Sequence, residues 1–169
     1  MKVEELYQGL ERLQEKGEIG DAYSGCGEEI EGPDYYVLMD FLEYIEEKYF
    51  EYIGEIYKAK ESTPLWAEAF VQIFNWQFGT MHERAETYYE NFYGDSDYKT
   101  IIKVAGYLRE NGYHQIAEPY AAAAVDCKRN NYPKEMAHLL PDEWIYNNDE
   151  TIWNFYVDIL NKHKQELCN

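Results

Sequence analysis

Apolar side chains recur along this chain at intervals of three and four residues, and this spacing constrains its fold more than any other feature. On a helix that turns about 100° per residue, the six members of one series fall within about 40° either side of one line. These six are Leu38, Leu42, Ile45, Tyr49, Tyr52 and Ile56. A shorter series consists of Val3, Leu6, Leu10 and Leu13. Because the period is that of an α-helix, the pattern predicts helices along most of the chain.

Residues that typically begin or end helices divide this pattern into about seven segments. The expected helices are residues 3–16, residues 34–60, a helix from Thr63-Pro64 to Gly79, a helix from the capping box Thr80–Glu83 to Gly94, a helix from Asp95 to Gly112, residues 113–129 with Pro119 inside, and residues 149–166. Residues 17–33 are expected to form a loop, and residues 130–148 to be irregular. We find no alternating run of apolar and polar residues that indicates a strand, and no Asn-Gly or Asp-Gly hairpin, so no β-strand is expected.

The expected fold is therefore all-α, a single-domain bundle of about seven helices over residues 1–169. Within it, residues 1–61 form an acidic helical part, and residues 62–169 form a second helical part. The first part holds 17 acidic and 6 basic residues, a net charge of −11.

The whole chain carries 33 acidic and 15 basic residues, a formal net charge of −18. Such acidity is common in disordered chains, but 18 Tyr, 7 Phe and 4 Trp supply the apolar surface that disordered chains lack. Phosphate backbones and membrane surfaces are anionic and repel a chain of this charge. We therefore expect a basic protein as partner, no direct binding of nucleic acid and no association with a membrane. In the alternative, the acidity serves only solubility.

Glutamates of the expected helix 34–60 stand in a row at four-residue intervals. Each pair of like charges at this spacing costs about 0.2–0.5 kcal/mol, so three pairs oppose folding by about 1 kcal/mol. A row that opposes folding favours a partner-binding surface, and the alternative is a solvated face built from good helix formers. The predicted partner-binding residues are Glu43, Glu46, Glu47, Glu51 and Glu55.

The residue patterns of enzymes and metal sites are weak in this chain. Glu135 and His138 have the spacing of a helical di-iron motif, but the second such motif that the site requires is missing. Cys26, Cys127 and Cys168 form neither a Cys-x-x-Cys pair nor a disulfide framework, which favours a reducing cytoplasm. The N-terminus lacks the apolar region of a signal peptide, and no apolar run is long enough for a membrane span. We expect no catalytic residue, no metal site and no cofactor.

Between residues 64 and 127, an aromatic helix is followed by a Gly-Asp turn, a helix with an Ala-Gly pair and an alanine-rich helix. The segments are Thr87-Tyr88-Tyr89-Glu90-Asn91, Gly94-Asp95, Ala105-Gly106-Tyr107-Leu108, Asn111-Gly112, Ile116-Ala117-Glu118 and Ala121–Ala124. In this pattern the chain resembles a bacterial family of acidic, all-helical domains of unknown function, whose best-known type is a DNA-mimic protein. The resemblance implies a helical fold and, for the mimic, a homodimer whose acidic surface occupies the DNA-binding site of a regulator. The motif contains no catalytic residue.

Together these features favour a non-enzymatic, cytoplasmic interaction protein that binds a basic protein, in particular a DNA-binding one. One acidic helix carries a charge per about 6 Å, whereas duplex DNA carries one per about 1.7 Å. Mimicry of DNA therefore needs several acidic segments or a dimer. One alternative is an immunity-type inhibitor of a cationic toxin. Another is an enzyme or a small-ligand-binding protein whose site the sequence does not reveal.

Overall fold

A computed structural model describes residues 2–16, 37–53, 56–90, 95–128 and 141–169 of the chain. Within these ranges the chain forms eight helices and one sheet of two short strands, which confirms the expected all-α fold. No helix in the same ranges is long and apolar enough to cross a membrane. The expected loop at residues 17–33 lies outside them.

The chain divides into two compact units, each with its own core. The terminal unit consists of Met1–Ala67 and Trp153–Asn169, and the central unit consists of Glu68–Ile152. Fully buried residues of the terminal unit include Leu10, Phe41, Ile45, Tyr156 and Ile159. Those of the central unit include Phe70, Ile73, Trp76, Leu108 and Tyr120. The expected division of the sequence between residues 61 and 62 stays a prediction.

Helix α1 (Val3–Lys16) forms as its apolar spacing predicts. Its buried residues include Val3, Leu6, Leu10 and Leu13. Tyr7 is also buried, and its hydroxyl donates a hydrogen bond of 2.6 Å to the carbonyl oxygen of Leu160. This bond joins α1 to the C-terminal part of the same unit.

The expected helix 34–60 is wrong beyond residue 49. Helix α2 (Val37–Tyr49) ends there, and strands β1 (Phe50–Ile53) and β2 (Ile56–Ala59) follow as an antiparallel pair. In the register of this pair, Glu51 lies opposite Lys58. The expectation that the chain contains no strand is therefore wrong, since this hairpin forms without an Asn-Gly or Asp-Gly turn.

Contacts at the carbonyl oxygen of Tyr49 explain why α2 ends at this residue. This oxygen accepts hydrogen bonds from the Thr63 hydroxyl and, at 3.2 Å, from the Lys60 amide. In a continuing helix it would accept from the amide four residues later. The residues that follow, Phe50–Ile53, are mostly aromatic or β-branched and are therefore common in strands. Their spacing also fits a helix, so the apolar series alone could not distinguish the two structures.

Helix α3 (Leu65–Glu90) is one continuous helix where two were expected. It runs through Gly79 and through the expected capping box at Thr80–Glu83, so both of these predicted boundaries are wrong. One glycine costs a helix about 1 kcal/mol, which is too little to interrupt a long run of helical residues. The helix begins at Leu65, one residue after the predicted Thr63-Pro64 start, and the Ala67 amide donates to the carbonyl oxygen of Pro64 at 3.0 Å.

Helices α4 (Asp95–Glu110) and α5 (His114–Lys128) pack against each other in the central unit. The sequence leaves open whether Pro119 kinks or restarts α5, and in the structure the helix continues through it. An ion pair joins Lys103 of α4 to Glu68 of α3, whose side chain is buried.

The turn between α4 and α5 is centred on Gly112. Its φ of 87° lies in the left-handed region, which glycine adopts without the strain that a Cβ atom causes. The Tyr113 amide donates to the Leu108 carbonyl oxygen at 2.7 Å, and the Gly112 amide donates to that of Arg109 at 3.2 Å. This pair of bonds is a Schellman motif, and the predicted helix end at Gly112 is confirmed.

Helices α6 (Pro141–Asn147), α7 (Asp149–Lys162) and α8 (Lys164–Cys168) complete the described chain. Residues 141–147, expected to be irregular, form α6. The expected helix 149–166 is confirmed as far as Lys162, after which His163 separates α7 from α8. The residues expected to be buried on it are all buried, namely Ile152, Phe155, Tyr156, Ile159 and Leu160.

Candidate functional site

The structure distributes the five predicted partner-binding glutamates over two kinds of element. Glu43, Glu46 and Glu47 lie on α2, Glu51 lies on β1, and Glu55 lies outside the described residues. Glu43, Glu47 and Glu51 are exposed, and we refer to these three as the exposed glutamates. The continuous helical row is therefore wrong, because α2 ends before Glu51, but three of its carboxylates face solvent.

Glu46 differs from its neighbours because it is half-buried. Burial desolvates the charged form of its carboxyl, and the nearby carboxylate of Glu43 adds repulsion. Together these causes raise the pKa of Glu46 to about 7. At neutral pH this carboxyl is thus partly protonated, and it contributes less negative charge than an ordinary glutamate.

Glu51 has a cation opposite it in the hairpin, since it pairs in register with Lys58, and both side chains are exposed. Opposite charges at facing positions of antiparallel strands attract each other by about 0.2–1 kcal/mol. Lys58 therefore offsets part of the charge that Glu51 presents to solvent. Glu43 and Glu47, one helical turn or about 6 Å apart along α2, are the part of the predicted row that the structure retains.

Basic side chains at the end of α2 contact the protein's own carbonyl oxygens. The Lys48 ammonium donates to the carbonyl oxygens of Glu166 at 2.8 Å and Leu167 at 3.0 Å. The Lys60 ammonium donates to the carbonyl oxygen of Lys48 itself at 3.1 Å. Among the residues that the structure describes, none forms a salt bridge with the exposed glutamates. Their carboxylates are thus accessible to cations from another molecule.

Two large apolar side chains at the far end of β1 are exposed, which the helical spacing of the sequence does not predict. Tyr52 is 62% exposed and Ile53 is 51% exposed. Tyr52 was expected on the buried side of a helix, and its exposure follows from the change to a strand after Tyr49. The strand-forming residues on either side of Gly54 were the one sequence signal that could have revealed this hairpin. We call Tyr52 and Ile53 the hairpin tip.

A second group of polar and aromatic side chains surrounds Glu166 of α8. Its carboxylate accepts hydrogen bonds from the Trp66 indole at 3.0 Å and the Tyr49 hydroxyl at 3.2 Å, and it lies 3.3 Å from Nδ1 of His163. The His163 ring stacks on Trp66, with ring centroids 4.4 Å apart. Burial, together with the negative charge of Glu166, raises the pKa of Tyr49 to about 12. Because its donors come from the protein itself, this group anchors α8.

Metal-ligand chemistry finds little support in the described residues. No group of three or more His, Cys, Asp or Glu side chains among them could hold a metal ion. Glu135 and His138, with the spacing of a di-iron motif, lie outside the described residues. Cys168 is an exposed free thiol, and the side chains of Cys26 and Cys127 lie outside the described part of the chain.

Comparisons with protein-family models, with known proteins and with solved structures find no match to this chain. The resemblance of residues 64–127 to the family of acidic helical domains therefore stays a prediction. The charge and the exposed side chains of this chain are the features that bear on its function.

Proposed function

We propose that this protein is a non-enzymatic, acidic interaction protein that binds a basic protein through the exposed glutamates of α2 and β1. The observation that carries the proposal is the exposure of Glu43, Glu47 and Glu51 in a chain of net charge −18. No described residue neutralises them by a salt bridge. Lys and Arg side chains of the partner supply the countercharge.

The proposed mechanism is electrostatic steering. The field of the acidic surface attracts a basic partner before contact and raises the rate of association. Salt screens this field over a Debye length of about 8 Å at physiological ionic strength. Binding should therefore weaken steeply as the salt concentration rises. Glu46 adds to the attraction because a bound cation favours its charged form.

The narrower form of the proposal is that the partner is a DNA-binding protein and that the acidic surface imitates DNA. Two charges one turn apart on α2 are spaced by about 6 Å, which is wider than the charge spacing of about 1.7 Å along a duplex. Mimicry therefore needs carboxylates from further segments or from a second copy of the chain. We also propose a reducing cytoplasm as the location of the protein, which agrees with the free thiol of Cys168.

The proposal is tested by capturing basic proteins from a lysate at low salt with the immobilised protein. The variant Glu43→Gln/Glu47→Gln/Glu51→Gln should lose most of the captured proteins, because it removes the exposed glutamates. If every captured protein stays bound to this variant, the proposed surface is wrong.

The matched control removes three exposed glutamates elsewhere, in the variant Glu15→Gln/Glu110→Gln/Glu150→Gln. It changes the net charge by the same amount and should retain the captured proteins. Equal losses from both variants would mean that total charge, and not this surface, attracts the basic proteins.

A further inference from the structure

We infer that the hairpin tip is the apolar anchor of the binding surface, and that the partner presents an apolar side chain between Lys or Arg residues. This inference rests on the proposed function, because it specifies the chemistry of the same basic partner. It assigns Tyr52 and Ile53, one on each face of the end of β1, to the apolar part of the contact and the exposed glutamates to its rim.

The geometry of β1 shows where the hairpin leaves the core of the terminal unit. Side chains alternate between the two faces of a strand, so Phe50 and Tyr52 share one face. Phe50 is only 5% exposed, whereas Tyr52 is 62% exposed. Ile53, on the other face, is 51% exposed. The strand is therefore covered at its near end, and both faces present a large apolar side chain at its far end.

An exposed tip of this kind lowers the stability of the unbound protein. A two-stranded hairpin has little stability of its own in water, and an exposed Ile leaves a favourable transfer from water unrealised. Burial of the tip in a partner recovers this free energy. Tyrosine is also among the residues that most often dominate the binding energy of interfaces, where polar residues around it exclude water.

The charges beside the tip identify what can cover it. Glu51 precedes Tyr52 directly, and Glu47 lies in the last turn of α2 before the strand. Lys58, opposite Glu51 in the hairpin, offsets part of this charge, so the negative charge beside the tip comes mainly from α2. At this surface a second copy of the chain presents glutamates of the same sign and is repelled, as is an anionic membrane. A cationic polypeptide complements the glutamates, and an apolar residue between its cations complements the tip.

Two cationic peptides of equal length and charge test the inference. One alternates lysine with leucine, the other alternates lysine with serine, and the affinity of each is measured by fluorescence anisotropy at low salt. The wild type should bind the lysine–leucine peptide at least about tenfold more tightly, since loss of an anchoring side chain typically costs this much or more. The variant Tyr52→Ser/Ile53→Ser should lose this preference and keep its affinity for the lysine–serine peptide.

The control is Ile102→Ser, which removes an exposed apolar side chain of α4 that is 38% exposed. It should keep the preference of the wild type. If the wild type binds both peptides equally, the inference is overturned while the proposed function stands. If it binds neither peptide, the proposed function fails as well.

The remaining possible occupant of the tip is a second copy of the chain. The solution masses of the wild type and of Tyr52→Ser/Ile53→Ser test for it. We expect the same mass for both proteins. A wild-type dimer that Tyr52→Ser/Ile53→Ser dissociates would show that the tip binds a second copy of the chain, which overturns the inference.

Discussion

At the scale of single residues, Glu46 shows how burial changes what an acidic side chain contributes. It is half-buried on α2 and lies three residues after Glu43. Desolvation by burial and repulsion from the Glu43 carboxylate raise the pKa of its carboxyl from 4.5 to about 7. Because this pKa is higher in the folded state, the folded protein binds more protons than the unfolded chain between about pH 4.5 and about pH 7. The stability that this proton contributes is present below about pH 4.5 and is lost as the pH rises through about 7.

We predict that Glu46→Gln makes the protein less sensitive to pH over this range. The amide resembles the protonated acid and does not ionise. When the pH is raised from about 5 to about 8, the free energy of unfolding of the variant should rise by about 1–2 kcal/mol relative to that of the wild type. This value is reduced because the carboxyl is partly exposed. Urea denaturation at the two pH values measures this gain.

The control for this prediction is Glu47→Gln, which removes an exposed carboxylate from the same helix. It accounts for the effect of lowering the net charge alone. If Glu46→Gln and Glu47→Gln change with pH in the same way, the burial of Glu46 is not the cause.

At the scale of elements, side chains of α2 satisfy the end of α8. The last carbonyl groups of a helix have no partner within it. In α8 the carbonyl oxygen of Leu167 accepts from the Lys48 ammonium and, at 3.0 Å, from the Tyr44 hydroxyl. A positive charge at this end of a helix also interacts favourably with its dipole. These contacts stabilise a helix of five residues, which is too short to be stable alone.

Glycines in two helices give a matched prediction about packing. A Cβ atom on Gly9 of α1 would lie 2.7 Å from Cγ2 of Val37 on α2, whereas one on Gly106 of α4 would meet nothing within 4 Å. Gly9→Ala should therefore lower the free energy of unfolding by about 1–2 kcal/mol, because the stiff valine must shift. Gly106→Ala should raise it by about 0.4–1 kcal/mol, because alanine favours the helix. Thermal and urea unfolding measure both, and a stabilising Gly9→Ala would contradict the close approach of α1 and α2.

The helices whose apolar spacing agrees with a clear end signal could be predicted from the sequence. Helix α1 and the end of α4 at Gly112 are of this kind. The hairpin could not be predicted, because Tyr49, Tyr52 and Ile56 fit a helical stripe while the end of α2 depends on a contact from Thr63, fourteen residues away. The wrong prediction of a helix at the hairpin also affects the candidate site. The exposure of Glu43 and Glu47 follows from their helical phase, whereas the exposure of Tyr52 follows only from the strand.

At the scale of the whole molecule, the net charge of −18 is the property that the proposed function uses. A large net charge of one sign keeps copies of a protein apart and weakens the compact state by self-repulsion. A basic partner relieves this repulsion in proportion to the charge that it neutralises. In the proposed function the partner therefore binds at the exposed glutamates, while the remaining acidic residues contribute to the long-range field.

The most direct test of the central claim is the affinity of a basic protein captured from the lysate, measured at low and at physiological salt. The wild type is compared with Glu43→Gln/Glu47→Gln/Glu51→Gln and with Glu15→Gln/Glu110→Gln/Glu150→Gln. We predict that the first variant binds about tenfold more weakly at low salt and depends less on salt, since each exposed ion pair contributes up to about 1 kcal/mol. The second variant should bind nearly as the wild type does. Equal affinities of the two variants would contradict the claim that the surface formed by α2 and β1 binds the partner.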